Sequence, residues 1–164
     1  MIDFKAVEKE IIKNREVVTQ KLIEFSFTDT ILFWSDDIKL KKIQEKEWAP
    51  VLHWITKKFE IKMKETTTLS APLSNMDNRT KMEKIIDEMS PKKLTCFYLA
   101  AVRLKSTLLS LTMVEKQISP KEAFELAYLE ENYQNKYWGT EKESEDARLQ
   151  VKEEILQIGE YLAS

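Results

Sequence analysis

Glycine and proline are scarce in this chain of 164 residues, which has two of the first and four of the second. Hairpins, phosphate-binding loops and sandwich corners use glycine for positive φ angles, so an all-β chain or a nucleotide-binding α/β chain is disfavoured. A dinucleotide fingerprint needs three closely spaced glycines, and only Gly139 and Gly159 exist. A single cysteine, Cys96, excludes an internal disulfide and a thiolate metal site, and fits a reducing compartment. Histidine is equally scarce. His53 stands alone, and the residue three before it is Pro50, so the Glu-x-x-His metal motif of helical bundles is missing. The one membrane-length apolar run, Leu94 to Val114, holds Arg103 and Lys105. Each costs about 2.5–3.5 kcal/mol in lipid, so a buried central helix is the better reading. The opening residues alternate with charge and do not form a secretory signal.

Charge and apolar content are ample. Hydrophobic residues make up 43% and charged residues 33%, which suits a folded globular chain. The net charge is −2, unevenly spread. Ser119 to Ser164 carries five basic and eleven acidic residues, a local −6, while the two stretches before it are each +2. That acidic last third disfavours DNA and anionic lipid and suits a basic partner surface, or is simply a solvated helix face. The lysine clusters (Lys39, Lys41, Lys42; Lys57, Lys58; Lys92, Lys93) are short and answered by nearby acids, and only four residues are arginine. Nucleic-acid binding is therefore not expected.

Periodicity predicts a mainly α-helical single domain of about six helices around a central apolar helix, with two short extended segments. Asp3 caps a helix reaching about Phe25, with Phe4, Val7, Ile11, Val18, Leu22 and Phe25 on its buried face. Thr28 to Trp34 breaks the period and reads as an extended piece or buried turn. A second helix follows Asp36 and Asp37, burying Leu40, Ile43, Trp48, Val51, Leu52, Ile55 and Phe59, with a kink or restart near Glu47 to Ala49 because of Pro50. Alternation in Phe59 to Thr68 predicts a second extended segment closed by Pro72. A helix then begins near Ser74 and buries Met76, Met82, Ile85, Ile86 and Met89. Ser90-Pro91 starts the central helix. Ser119-Pro120-Lys121-Glu122 is a capping box for a helix stopping at Gly139, with Ala123, Leu126, Ala127 and Tyr133 inward. A last helix spans about Glu143 to Leu162 on Leu149, Ile155, Ile158 and Leu162.

Catalytic chemistry is thinly represented. His53, between Leu52 and Trp54, reads as a partly buried packing residue, and Cys96 as a small core residue. No serine lies in a glycine-flanked elbow. The carboxylates leave open a small carboxylate-using helical enzyme, and the helical faces a generic protein-interaction module. The conspicuous stretch is Leu129-Glu130-Glu131-Asn132-Tyr133-Gln134-Asn135-Lys136-Tyr137-Trp138-Gly139. Helical spacing lets Glu130, Glu131, Gln134 and Trp138 share one side of a helix end. This is either a solvated terminus or a polar patch rimmed by aromatics, the composition of binding surfaces.

Leu-Glu-Glu-x-Tyr-Gln-x-x-x-Trp-Gly resembles a signature of the F1-ATPase assembly chaperones that handle the F1 alpha subunit. Thr28-Asp29 before an apolar run is similar to that family's Thr-Asp segment. Trp48-Ala49-Pro50-Val51-Leu52-His53-Trp54 is similar to its Trp-Asp-Pro-Leu-Leu-x-Trp motif, with Ala49 in place of aspartate. Ser106 matches its serine-bearing central helix, with Lys105 where a glycine commonly stands. The resemblance covers about Ile2 to Leu162. It implies that residues 1–164 form the family's C-terminal helical domain, without the β-rich N-terminal domain its members carry. It also implies a non-enzymatic assembly chaperone that holds the F1 alpha subunit before beta arrives, without metal, cofactor, nucleic acid or membrane insertion. Its compartment would be a bacterial cytoplasm or a mitochondrial matrix. The implied partner-binding residues are Glu130, Glu131, Gln134, Tyr133 and Trp138, supported by Asp29, Trp48 and Ser106. Reversing either acid, Glu130→Lys or Glu131→Lys, is expected to spare thermal stability yet weaken alpha-subunit binding or rescue of assembly.

Overall fold

The computed structural model describes residues 1–67 and 76–164. Among them are nine α-helices, one 3₁₀ turn and no β-strand. The mainly α expectation holds; the helix count rises because three expected helices are each divided in two. The expected loop end at Pro72 and helix start near Ser74 lie outside the described residues.

The first division separates α1 (Phe4–Lys13) from α2 (Arg15–Phe27) at Asn14. Asp3 caps α1 as expected, accepting from the Ala6 amide at 3.1 Å. Arg15 gives the break a purpose. Its guanidinium donates to the carbonyls of Ile86 (3.0 Å) and Met89 (2.7 Å), which satisfies the end of α4 (Met76–Asp87). Phe25, expected inside, is 58% exposed, while Ile11, Val18 and Leu22 are buried.

The 3₁₀ turn at Thr30–Leu32 buries Ile31 and Leu32 completely. Just beyond it, Phe33 and Thr66 form a single parallel bridge, so both extended segments exist as a two-residue pairing rather than strands. Helix α3 (Ile38–Phe59) runs unbroken through Pro50, against the expected restart. Burial of Trp48, Val51, Leu52 and Ile55 along one side outweighs the one backbone bond lost at Pro50. Ile43 is exposed, as are Met76 and Leu149, so each of these three apolar stripes is narrower than expected. His53 is exposed too, not packed; Cys96 is fully buried.

Ser90 and Pro91 open α5 (Pro91–Leu104) as expected, with the Lys93 amide on Ser90 Oγ at 3.1 Å. The expected central helix then breaks. Lys105 takes a left-handed conformation (φ 55°, ψ 31°), and Ser106 caps a new helix, α6 (Thr107–Val114), whose eight residues are all buried. The capping box at Ser119 starts α7 (Pro120–Ala127), and Tyr128 separates it from α8 (Leu129–Trp138). Gly139 ends α8 at φ 78°, as expected of a glycine stop. Helix α9 (Lys142–Ala163) returns across the molecule. Helix α5 lies at the centre, packed on α1, α6 and α9, and α9 also packs on α7. That last approach is close: a Cβ built on Gly159 would stand 2.4 Å from Pro120 Cγ.

Candidate functional site

Two polar constellations stand out, and the residues singled out in the sequence divide between them. The first is the joint between α5 and α6. Asp29, 3% exposed, accepts from the Ser106 hydroxyl at 2.7 Å and the Ile31 amide at 3.1 Å with one oxygen. Its other oxygen accepts from the Leu108 amide at 2.8 Å. Thr30 donates to the Lys105 carbonyl at 2.9 Å. Thr28 to Thr30 thus clasps the break, and the carboxylate sits at the N-terminus of α6, where orphan amides and the helix dipole favour negative charge. Desolvation nonetheless prevails and pushes the Asp29 carboxyl up to about 6, against lowering by the Leu108, Ser106, Ile31 and Thr107 donors. Asp29 and Ser106 therefore hold the core joint, and no hydrogen bond joins either of them to α8. An apolar hollow of about 390 Å³ opens beside them, lined by Leu22, Phe25, Tyr98 and Val102.

The second constellation fastens α8. Only Leu129 of this helix is buried, so packing alone holds it weakly. Polar contacts from α3 and its cap add to it, one at the end of α7 and two on α8. Trp48, 1% exposed, donates its indole N–H to the Leu126 carbonyl at 2.9 Å, at the end of α7. One turn earlier Gln44 donates Nε2–H to Glu130 Oε1 at 2.7 Å, while its own oxygen accepts from the Ser35 amide at 2.7 Å. Asp37 caps α3 with one oxygen and accepts from the Tyr133 hydroxyl with the other, at 3.3 Å. Desolvation, with Tyr137 and Asp37 nearby, pushes the Tyr133 phenol up to about 12. Trp48 thus holds the end of α7, just before α8 begins.

Glu130, Tyr133 and Tyr137 form a face turned to α3 or stacked along it, the two rings lying 5.1 Å apart. Glu131, Gln134 and Trp138 follow at the same three- and four-residue steps, about 100° further round the helix. Among the described residues, Glu131 and Gln134 make no hydrogen bond or ion pair, and Trp138 is 86% exposed. Trp138 therefore projects from the segment. Nor is Glu130 the free acid expected of a solvated helix end, because its carboxylate meets a fully buried amide.

A third face of α8, with Leu129, Asn132, Tyr133 and Lys136, borders a groove of about 680 Å³ whose opposite wall is Ile43, Lys46, Glu47 and Pro50 of α3. Gln44 and Asp37 are the residues sequence reasoning missed. Gln44 carried a signal: it occupies the stripe position between Leu40 and Trp48, where an apolar side chain would belong.

The family described as ATP12 chaperone protein matches residues 1–56, from α1 through most of α3. "Protein atp12, mitochondrial" of Schizosaccharomyces pombe is 24% identical over 146 residues, covering 85% of this chain and 49% of that protein. The chain spans about half the length of this curated relative. The crystal structure of Atp12 from Paracoccus denitrificans superposes with a TM-score of 0.91 at 17% identity, over 96% of this chain and 68% of that one. A structure from Agrobacterium tumefaciens gives 0.83 at 20% identity, over 93% and 57%. In sequence and in fold the chain resembles the ATP12 chaperones, the F1-ATPase assembly factors to which its motifs point.

Proposed function

From this likeness to F1-ATPase assembly chaperones, we propose that the chain binds the F1 alpha subunit before alpha and beta assemble, and catalyses no reaction. A subunit awaiting assembly exposes apolar surface and unpaired strand edges, and covering them prevents aggregation. The observation that carries the reading is the outer row of α8. Glu131, Gln134 and the 86% exposed Trp138 stand together on a helix fixed to α3. An indole beside an acid and an amide has the make-up of an interface anchor. The surrounding segment from Ser119 to Ser164 carries a net −6, which suits a basic surface on the partner.

The compartment that fits is the one where F1 subunits meet, a bacterial cytoplasm or a mitochondrial matrix. Retention of isolated F1 alpha and F1 beta on the immobilised chain tests the reading. Selective retention of alpha is expected; equal retention of both, or of neither, contradicts it.

A further inference from the structure

We infer that Glu130 is a positioning residue, fixed by Gln44, and that it does not itself touch the F1 subunit. This deepens the proposed function and rests on it for the partner, though not for the positioning.

The amide of Gln44 is committed at both ends. It is 0% exposed, and the Ser35 amide occupies its oxygen at 2.7 Å. The nitrogen must therefore face Glu130, and Glu130 Oε1 receives it at 2.7 Å. A fully buried amide with one end committed needs an acceptor at the other. Glu130 supplies it across 86 positions of sequence. The contact also joins three parts of the molecule: the loop at Ser35, α3 and α8. With Leu129 the only buried residue of α8, the seat of this helix depends on that bond together with Tyr133–Asp37. What Glu130 provides is an acceptor oxygen at a fixed place. Negative charge is not required for that.

Charge and acceptor can be separated by substitution. Glu130→Gln keeps an acceptor for Gln44 and removes the charge. Glu130→Lys sets two donors against each other and leaves the buried amide unsatisfied. Gln44→Glu keeps an acceptor for Ser35 but opposes two carboxylates. The pair Gln44→Glu with Glu130→Lys restores a donor–acceptor contact with the polarity exchanged.

The experiment measures amide hydrogen exchange across 129–138 and retention of isolated F1 alpha on the same variants of the 164-residue chain. We expect Glu130→Gln to leave both unchanged, with affinity within about twofold of the parent. Each single charge variant should speed exchange in α8 by about tenfold or more, the size of an unsatisfied buried group, and lose retention. The double variant should regain both. Loss of retention in Glu130→Gln with α8 exchange unchanged would overturn the inference, because it would show the charge itself meeting the partner. Glu130→Lys with unaltered α8 exchange would overturn it as well. If the parent chain retains no alpha subunit, the proposed function fails, and the exchange results still decide whether Glu130 positions α8.

Discussion

The α5–α6 joint and α8 are held in opposite ways. At the joint every residue of α6 is buried, and one carboxylate, Asp29, ties the break together from beneath. In α8 one residue is buried, and the helix is held to its neighbour by side-chain hydrogen bonds at its near face. A region held by buried area resists change because many contacts share the load. A region held by a few polar contacts leaves its far face free for a partner, at the cost of sensitivity to single substitutions at the near face. The fold is carried by the first kind of region, the proposed interface by the second.

Core substitutions should lower stability most. Leu108, fully buried, should cost about 2–5 kcal/mol on replacement by alanine, read by urea denaturation. Asp29→Ala comes next, at about 2–3 kcal/mol, because it strips acceptors from buried amides and from Ser106. Asp29 also sets a pH dependence. Its carboxyl titrates near 6 in the folded chain and near 3.8 when unfolded, so between these values the folded state binds more protons. Stability from this residue is therefore greatest below about pH 4 and falls as pH rises to about 6, by about 3 kcal/mol at 1.36 per unit. The difference in unfolding free energy between the parent and Asp29→Asn, measured across that range, should show this slope.

Two backbone positions should show smaller effects. Gly159→Ala drives a methyl into Pro120 where α9 crosses α7 and should lower stability by about 1–3 kcal/mol by thermal melting. Lys105→Gly should act in the other direction. A lysine at φ 55° is strained where glycine is not, so this change should raise stability by about 0.5–1 kcal/mol.

The sequence made the helical class and several helix ends legible because local chemistry fixes them. Asp3, Ser90, Ser119 and Gly139 cap or stop helices wherever the rest of the chain lies. Divisions at Asn14, Lys105 and Tyr128 were not legible, since none is a glycine or proline. Tertiary contacts accompany two of them: Arg15 on the carbonyls that end α4, and Thr30 on Lys105. Exposure of Phe25, Ile43 and Leu149 was hidden for a related reason: periodicity marks a stripe but not its width. In the candidate site, spacing gathered Glu130, Glu131, Gln134 and Trp138 onto a helix end. Spacing does not say which of them faces α3, because Gln44, far away in the chain, makes that contact with Glu130.

The most direct test of the account is Glu131→Lys, with melting temperature and retention of the F1 alpha subunit measured on the same preparation. Glu131 makes no hydrogen bond or ion pair among the described residues, so its reversal should change stability by no more than about 0.5 kcal/mol. At a contact with a basic surface it should weaken retention about tenfold or more. Normal melting with lost retention is the predicted result. Normal melting with full retention would contradict the account, and the outer row of α8 would then be only a solvated helix face.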